Sequence, residues 1–247
     1  MNGILYFSST GNSLFIAKVL KDKIGGKIVY IPTYNGNGGE FDRLFIVTPI
    51  HSFGMPSPVF DLLFKLDKTK EIIVIQNYGG MAGGADFLFY DYAKVRLGLN
   101  VISVYKIKMT ENFTLHFTVP RFYQNFQLKK CKERIEAVVQ KILKGEYHIP
   151  KKKKTRERVY LKNKSNWHLI GKRFKTTEKC TKCGKCAQIC PVKNICVENN
   201  VVFGDGCIAC LGCYHRCPNK AITYLDKNKK YRYVNPFIEE SEIGKDM

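Results

Sequence analysis

The chain has 247 residues, enough for one ordinary domain and a smaller second one. Its formal charge of +20 comes from 41 Lys and Arg residues against 21 Asp and Glu residues. No apolar run approaches the roughly 18 residues of a membrane span, and the N-terminus lacks the pattern of a secretory signal peptide. We therefore expect a cytoplasmic protein without membrane insertion. Its basic charge indicates either attraction of acidic partners or a plain lysine-rich solvated surface.

The first predicted element is a buried strand at residues 3–7, an apolar run that precedes a polar turn. The turn consists of Ser8, Ser9, Thr10, Gly11, Asn12 and Ser13. An apolar helical pattern begins at Leu14, and the start of a helix after a hydroxyl-rich turn can bind a phosphate through hydroxyls and backbone N–H groups. The turn lacks both G-x-G-x-x-G and the triphosphate P-loop motif. Its serines and threonine would also serve as ordinary helix caps.

Strand-like and helical patterns then alternate as far as residue 147. Further strands are predicted at residues 27–31, 43–48, 71–77 and 101–107. Helices are predicted at residues 58–66, 85–97 and 129–144. This alternation predicts a doubly wound α/β domain with a five-stranded parallel sheet in the order 2-1-3-4-5, in which ligands bind at the carboxyl ends of the strands.

The loops after the third and fourth strands have an unusual composition. Their candidate binding residues are Pro49, His51, Ser52, Phe53 and Gly54 in the first loop, and Asn77, Tyr78, Gly79 and Gly80 in the second. Glycines allow the backbone to approach a flat ring and donate N–H bonds to it, and aromatic side chains offer faces for stacking. Each aromatic residue taken alone is equally compatible with ordinary loop packing.

The turn S-S-T-G-N-S resembles the FMN phosphate loop of flavodoxins, in which [ST]-x-T-G-x-[ST] follows the first strand. The resemblance implies a flavodoxin-like, FMN-binding domain over residues 1–147. It also implies that Phe53 and Tyr78 stack on the flavin ring, with His51 against it. The backbone donors to the polar edge of the ring would be Asn77, Gly79 and Gly80. The chain departs from this family in its basicity and in having no tryptophan in these loops.

Residues 148–175 are predicted to be a basic linker between two domains. Four consecutive lysines, Lys151–Lys154, indicate either a solvated linker or a docking patch for an acidic carrier. The more apolar stretch at residues 167–170 is expected to pin this linker onto one domain.

Eight of the ten cysteines fall in two repeats, C-T-K-C-G-K-C-A-Q-I-C-P at residues 180–191 and C-I-A-C-L-G-C-Y-H-R-C-P at residues 207–218. Each has the C-x2-C-x2-C-x3-C-P spacing of bacterial two-cluster ferredoxins, which the chain resembles here. The constant offset between the repeats predicts a pseudo-twofold pair of loop-plus-helix units. Structural zinc or disulfides are the alternatives, but zinc sites use two pairs of ligands rather than three plus one closed by proline.

Three thiolates from one loop can hold three corners of a cluster, and the proline after the fourth cysteine directs that thiolate to the other cluster. One [4Fe-4S] cluster is assigned Cys180, Cys183, Cys186 and Cys217. The other is assigned Cys207, Cys210, Cys213 and Cys190. The remaining Cys131 and Cys196 are expected to be buried thiols. A small α+β ferredoxin-type domain is predicted at residues 176–228 with a closing strand at 221–225, followed by a C-terminal tail, residues 229–247, with a frayed end.

Together the two halves resemble the flavodoxin/ferredoxin fusion proteins of anaerobes. The resemblance implies FMN, two [4Fe-4S] clusters and intracellular electron transfer, with the flavin converting between one- and two-electron steps. The external partner would be an acidic redox carrier of the ferredoxin or flavodoxin type, or a small-molecule acceptor. The alternative is a terminal flavoenzyme that reduces a quinone, nitro compound, peroxide or oxygen. Nucleic-acid binding is a weaker hypothesis because the basic residues are scattered, and a homodimer would bring flavin and clusters together across two chains.

Overall fold

The computed structural model describes residues 1–115, 118–227 and 231–247. A five-stranded parallel sheet has the order β2-β1-β3-β4-β5. Its strands are β1 (Asn2–Tyr6), β2 (Lys27–Tyr30), β3 (Arg43–Pro49), β4 (Glu71–Tyr78) and β5 (Val101–Lys108). This is the flavodoxin order, so the predicted doubly wound domain is confirmed.

Helices cover both faces of the sheet. They are α1 (Asn12–Ile24), α2 (Ser57–Leu63), α3 (Ala85–Tyr90), α4 (Arg121–Leu143) and α5 (Glu157–Lys172), with a π-helical stretch at Asp91–Arg96 continuing α3. Alternate residues of β1 enter opposite cores, Leu5 on one side and Ile4 on the other. Helix α4 begins well before the predicted start at residue 129. The apolar pattern missed its first turns, because the buried residues there are Gln124 and Gln127 rather than apolar ones.

Helix α5 lies inside the segment that we predicted to be a linker. Its Tyr160 and Trp167 are two helical turns apart and are both buried in the core that also contains Leu5. The Tyr160 hydroxyl donates a hydrogen bond to the Met55 carbonyl at 3.0 Å. The sequence analysis missed this helix, because the polar and charged residues of α5 outnumber the few residues that face the core.

The lysine run before α5 is partly tied down. The Lys153 ammonium lies 2.6 Å from the carboxylate of Asp86, a side chain that is almost fully buried. Burial raises the pKa of Asp86, but the ion pairs with Lys153 and Lys106 outweigh it and hold the pKa below its usual value. The four lysines themselves remain exposed.

A second, smaller unit begins at β6 (Phe174–Thr176), which pairs with β9 (Ile222–Tyr224); β7 (Ile195–Val197) pairs with β8 (Val201–Phe203). Short helices α6 (Lys185–Gln188) and α7 (Gly212–His215) each lie inside one cysteine repeat. These helices occupy equivalent positions of the two repeats, as do β7 and β9. The small α+β domain built from a repeated unit is therefore confirmed.

Residues 231–247 pack against the flavodoxin-like domain, in contrast to the frayed end that we expected; residues 228–230 lie outside the described part of the chain. Ile238 and Ile243 are buried in the core that contains α1. The backbone of Met247 exchanges two hydrogen bonds, of 2.7 and 2.8 Å, with Ile28 on the edge strand β2. Such contacts join distant backbone atoms and leave no periodic pattern in the sequence. Within the described residues, no helix has the length and apolar character required to cross a bilayer.

The Tyr6 hydroxyl fastens this C-terminal segment. It accepts hydrogen bonds from the backbone N–H groups of Gly244 at 2.9 Å and Lys245 at 3.2 Å, and donates to the Lys245 carbonyl at 3.0 Å. We expect Tyr6→Phe to lower the free energy of unfolding by ~1–3 kcal/mol, because these partners lose their bonds. It should also speed proteolysis near the C-terminus. Urea unfolding and limited proteolysis measure both effects.

Tyr147→Phe is the matched control, since the Tyr147 side chain is 41% exposed. Its effect on unfolding should stay within about 0.5 kcal/mol. If Tyr6→Phe behaves like this control in both assays, the Tyr6 hydroxyl does not hold the segment.

Candidate cofactor-binding site

The cysteines of the two repeats form two groups. A small cavity is lined by Cys180, Cys183, Cys186 and Cys217, the four residues assigned to one cluster. In the other group, burial raises the pKa of the Cys210 thiol to about 12, and the neighbouring Cys207 and Cys190 add to the increase. Cys213 has a raised pKa for the same reasons. Four thiols so close together require a cationic centre to become thiolates, which fits the chemistry of a metal cluster.

The two cysteine repeats share unusual backbone features. Left-handed residues recur at equivalent positions, in the pairs Lys182 and Ala209, Gly184 and Leu211, and Lys193 and Lys220. The backbone N–H of Asn194 donates to Cys190 Sγ at 3.3 Å, and the equivalent N–H of Ala221 donates to Cys217 Sγ at 3.3 Å. Hydrogen bonds to cluster sulfurs stabilise negative charge and raise the reduction potential.

Among the described residues, no group of three or more Cys, His, Asp or Glu side chains is arranged to hold a single metal ion. Ligation of clusters by the eight cysteines stays a prediction. The remaining cysteines differ from each other, because Cys131 is buried as expected whereas Cys196 is exposed. The expectation of burial was therefore wrong for Cys196. This residue lies on the short hairpin strand β7, in which no side chain is fully buried.

A cavity of about 620 Å³ lies at the carboxyl ends of the strands. This volume is in the range of ~300–1,000 Å³ that is usual for ligand sites. Nine candidate residues line it: Asn12, Pro49, His51, Ser52, Phe53, Asn77, Tyr78, Gly79 and Gly80. Gly54 does not line it, because the ring of Tyr160 packs directly against this glycine. The structure thus brings together, around one space, the loop after β3 (residues 49–54) and the loop after β4 (residues 77–80). We call these the first and second ring loops, after their predicted contact with the flavin ring.

The first ring loop is a tight hairpin. The backbones of His51 and Gly54 exchange hydrogen bonds of 3.0 and 2.8 Å, and Ser52 and Phe53 at its corner have positive φ angles of 47° and 72°. This conformation costs non-glycine residues ~1–3 kcal/mol each and is typical of binding sites. The Arg156 guanidinium lies 4.7 Å from the centre of the Phe53 ring.

The second ring loop packs against Glu111. A Cβ atom at Gly79 would lie 2.3 Å from Glu111 Cα, so only glycine fits there. The Gly80 N–H, an expected donor to the ring edge, donates instead to the Glu111 carboxylate at 2.9 Å. The Asn77 side chain donates to Ser13 Oγ at 2.8 Å.

Sequence reasoning missed one wall of the cavity. Helix α5 contributes Asn163, Asn166, Trp167 and Ile170, which have the spacing of one helical face. The loop of the second cysteine repeat, which we call the cluster loop, contributes Ala209, Cys210 and Leu211. Trp167 therefore supplies the tryptophan that the ring loops lack. The His51 ring is edge-on to Phe7 and Trp167, at 6.1 and 5.9 Å, and burial lowers its pKa to about 4. His51 is consequently neutral at pH 7.

The candidate phosphate turn borders the cavity at Asn12 and is otherwise covered by the rest of the chain; its polar side chains are at most 8% exposed. Ser9 Oγ donates to the Cys210 carbonyl at 2.7 Å, which joins the turn to the cluster loop. Thr10 Oγ1 accepts from the Asn112 side chain at 2.8 Å. Ser8 Oγ accepts from the Gly11 N–H at 3.0 Å.

The C-terminal segment covers the same turn. Asn12 Oδ1 accepts hydrogen bonds from the Tyr233 hydroxyl at 2.6 Å and from the Asn235 side chain at 3.0 Å. His215 of α7 links the parts further: its Nε2 lies 2.6 Å from the Asn112 carbonyl, and its Nδ1 accepts from the Tyr233 N–H at 3.1 Å. The turn is thus a joint between the two domains, and its role in phosphate binding stays a prediction.

Residues 174–196 match the family model of the 4Fe-4S binding domain, which covers the first cysteine repeat. No curated protein matches the chain. The match and the sheet order define a flavodoxin-like domain joined to a domain that binds a 4Fe-4S cluster. The chain is thus a fusion of a flavodoxin-like and a ferredoxin-type domain.

Three solved structures similar to the chain cover its N-terminal half. The Trp repressor binding protein from Bacillus subtilis is 12% identical with a TM-score of 0.42, covering 57% of this chain and 96% of its own. A Megasphaera elsdenii flavodoxin is 18% identical with a TM-score of 0.39, covering 57% and 99%. A flavoprotein in complex with FMN from Lactobacillus acidophilus is 19% identical with a TM-score of 0.36, covering 42% and 91%. The strand order β2-β1-β3-β4-β5 shows the flavodoxin-like fold directly.

Proposed function

We propose that the chain transfers electrons between two [4Fe-4S] clusters and an FMN in the 620 Å³ cavity. One observation carries this proposal: Cys210, a predicted ligand of the second cluster, lines the same cavity as the two ring loops. A cluster and a flavin bound at these positions would share Cys210 as a common neighbour. Flavin takes up electrons singly or in pairs and each cluster passes one at a time, so the chain would connect the two kinds of step.

The residues of the cavity fit the ring of a flavin. Phe53, Tyr78 and Trp167 offer aromatic faces, and neutral His51 adds no charge beside them. The glycines of the second loop leave room for a flat ring close to the backbone. In the wall of the cavity His51 is half-buried and Trp167 is buried, and hydrogen bonds to groups bound in such surroundings are strengthened by the low local dielectric constant.

We propose that electrons are exchanged with an acidic carrier protein at the first cluster. Among its assigned ligands, Cys183 is exposed, and the neighbouring side chains of Lys179 and Lys182 are exposed as well. Positive charge around the more accessible cluster would steer a negatively charged redox protein and orient it. In the second group of cysteines, by contrast, the thiols of Cys210 and Cys213 are buried, and this burial is the main cause of their raised pKa.

Flavin binding can be tested through Trp167, since the chain contains a single tryptophan. Adding FMN to flavin-free protein is expected to quench most of its fluorescence, because the bound flavin absorbs at the emission wavelength and lies in the same cavity. Gly79→Val should weaken binding at least tenfold through its clash with Glu111. Gly98→Asn is the control, because a Cβ there meets nothing within 4 Å and asparagine tolerates the positive φ of 71° at this position. FMN that binds without changing this fluorescence would contradict the site.

A further inference from the structure

We propose that the positive charge of Arg232 favours reduction of the first cluster, the one assigned to Cys217 and the first three cysteines of the first repeat. Arg232 lies outside both repeats, in the segment whose sequence predicted a C-terminal tail. It is a positioning residue and not a ligand. This assignment rests on the proposed function, because it concerns one of the two proposed clusters.

Arg232 is held between an aromatic ring and the backbone of the second repeat. Its guanidinium carbon lies 3.5 Å from the centre of the Tyr214 ring. Its Nη2 donates to the Ile222 carbonyl at 2.8 Å and, at a long 3.5 Å, to the Lys220 carbonyl. Tyr214 and Ile222 are buried in the hydrophobic cluster against which Cys217 packs. The cation is therefore fixed inside the small domain, beside the chain that carries Cys217.

The two carbonyls that accept from Arg232 flank Ala221, whose N–H donates to Cys217 Sγ at 3.3 Å. Arg232 thus holds the piece of backbone that supplies a hydrogen bond to a predicted ligand. Net charge and hydrogen bonds around the sulfurs are among the factors that set the potential of an iron–sulfur cluster. A cluster that takes up one electron becomes more negative by one charge, so a nearby cation stabilises the reduced form.

The guanidinium keeps its charge at this position. Burial lowers the pKa of Arg232, whereas the neighbouring Tyr214, Cys217 and Cys213 raise it. The influence of Cys217 exceeds that of Cys213, which is assigned to the second cluster. An arginine side chain stays protonated in proteins, and the charge of a half-buried one is screened less than that of an exposed lysine.

The two repeats differ at this point although their backbones share unusual features. At the constant offset of the repeats, the equivalent of Tyr214 is Ala187, which offers no ring. The equivalent of Ala221 is Asn194, whose neutral side chain donates to the Gly204 carbonyl at 2.9 Å. A cation thus lies beside one of the two equivalent N–H···S bonds, and a neutral amide lies beside the other.

An anaerobic redox titration of the holoprotein, followed by EPR without any carrier protein, tests this role. The added reductant supplies one electron to each cluster, and Cys180→Ala and Cys190→Ala, each expected to lose one cluster, assign the two signals. In Arg232→Gln the equilibrium constant for reduction of the first cluster should fall about tenfold, which corresponds to about 59 mV for a one-electron step. The constant of the second cluster should change less.

Two further variants separate local charge from other causes. Lys179→Gln is the control: it removes the same charge next to Cys180, another assigned ligand of the first cluster, but Lys179 is exposed to solvent. The constant of the first cluster should change less than about twofold. Arg232→Lys keeps the charge without the planar fork, and the constant should stay within about threefold of the wild-type value.

An unchanged constant of the first cluster in Arg232→Gln overturns the inference. So does an equal fall in Lys179→Gln, which would make total charge the cause, or a larger change at the second cluster than at the first. If Arg232→Gln loses its first cluster, Arg232→Lys decides: the wild-type constant supports the inference, and a tenfold fall or loss of both clusters overturns it. Wild-type protein without iron–sulfur clusters would end the proposed function as well; the other results leave it standing.

Discussion

Cys217→Ala is expected to remove about half of the iron and sulfide from anaerobically purified protein, from about eight of each per chain to about four. Cys217 belongs to the second repeat in sequence but lines the cavity of Cys180, Cys183 and Cys186. Its loss should therefore remove the cluster held by the first repeat. Iron and sulfide assays with the visible spectrum measure the change.

Double variants separate crossed ligation from ligation within each repeat. Cys180→Ala added to Cys217→Ala should cost no further iron, because both changes affect one cluster. Cys190→Ala added to Cys217→Ala should remove nearly all of it. If each repeat instead binds its own cluster with its own fourth cysteine, both double variants should lose nearly all of their iron, so the Cys180→Ala and Cys217→Ala pair is the one that separates the two arrangements. Zinc at these cysteines in place of iron would exclude the clusters altogether.

Tyr160→Ala should lower the free energy of unfolding of the flavodoxin-like domain by ~3–5 kcal/mol, the usual cost of removing a large buried aromatic side chain. The ring is fully buried against Gly54, and its hydroxyl bonds to Met55. The variant should also weaken flavin binding, since α5 carries Trp167 into the cavity. Chemical unfolding and flavin titration measure the two effects.

Leu161→Ala is the matched control, since the adjacent Leu161 side chain is 47% exposed. Its effect on unfolding should stay within ~0.5 kcal/mol. Equal effects of the two variants would mean that α5 does not pack on the sheet in solution and that residues 157–172 are a linker after all.

The features that the sequence predicted are those encoded by short-range spacing. Alternating apolar strands and helices gave the parallel sheet and therefore the edge at which the loops of His51 and Tyr78 meet. The repeat of Cys180 and Cys207 gave two equivalent loop-plus-helix units. In each of these cases the pattern extends over a few residues, and local geometry is enough to interpret it.

The features that the sequence did not predict depend on contacts between distant residues. Helix α5 buries Tyr160 and Trp167 in the core, but they lie within a segment dominated by charged residues. Asn235 and Tyr233 reach Asn12 from the other end of the chain, through polar atoms that have no periodicity. The closure of the turn by these residues is what separates the observed site from the expected one.

The central claim is that electrons pass between the clusters and the flavin of one chain. An anaerobic stopped-flow experiment tests it most directly: holoprotein is mixed with less than one equivalent of a reductant that reacts first with the clusters, and cluster and flavin absorbance are followed together. We predict that the clusters reoxidise as the flavin is reduced, at one rate that does not change when the protein concentration is varied tenfold. A flavin that stays oxidised, or a rate proportional to protein concentration, would contradict the claim.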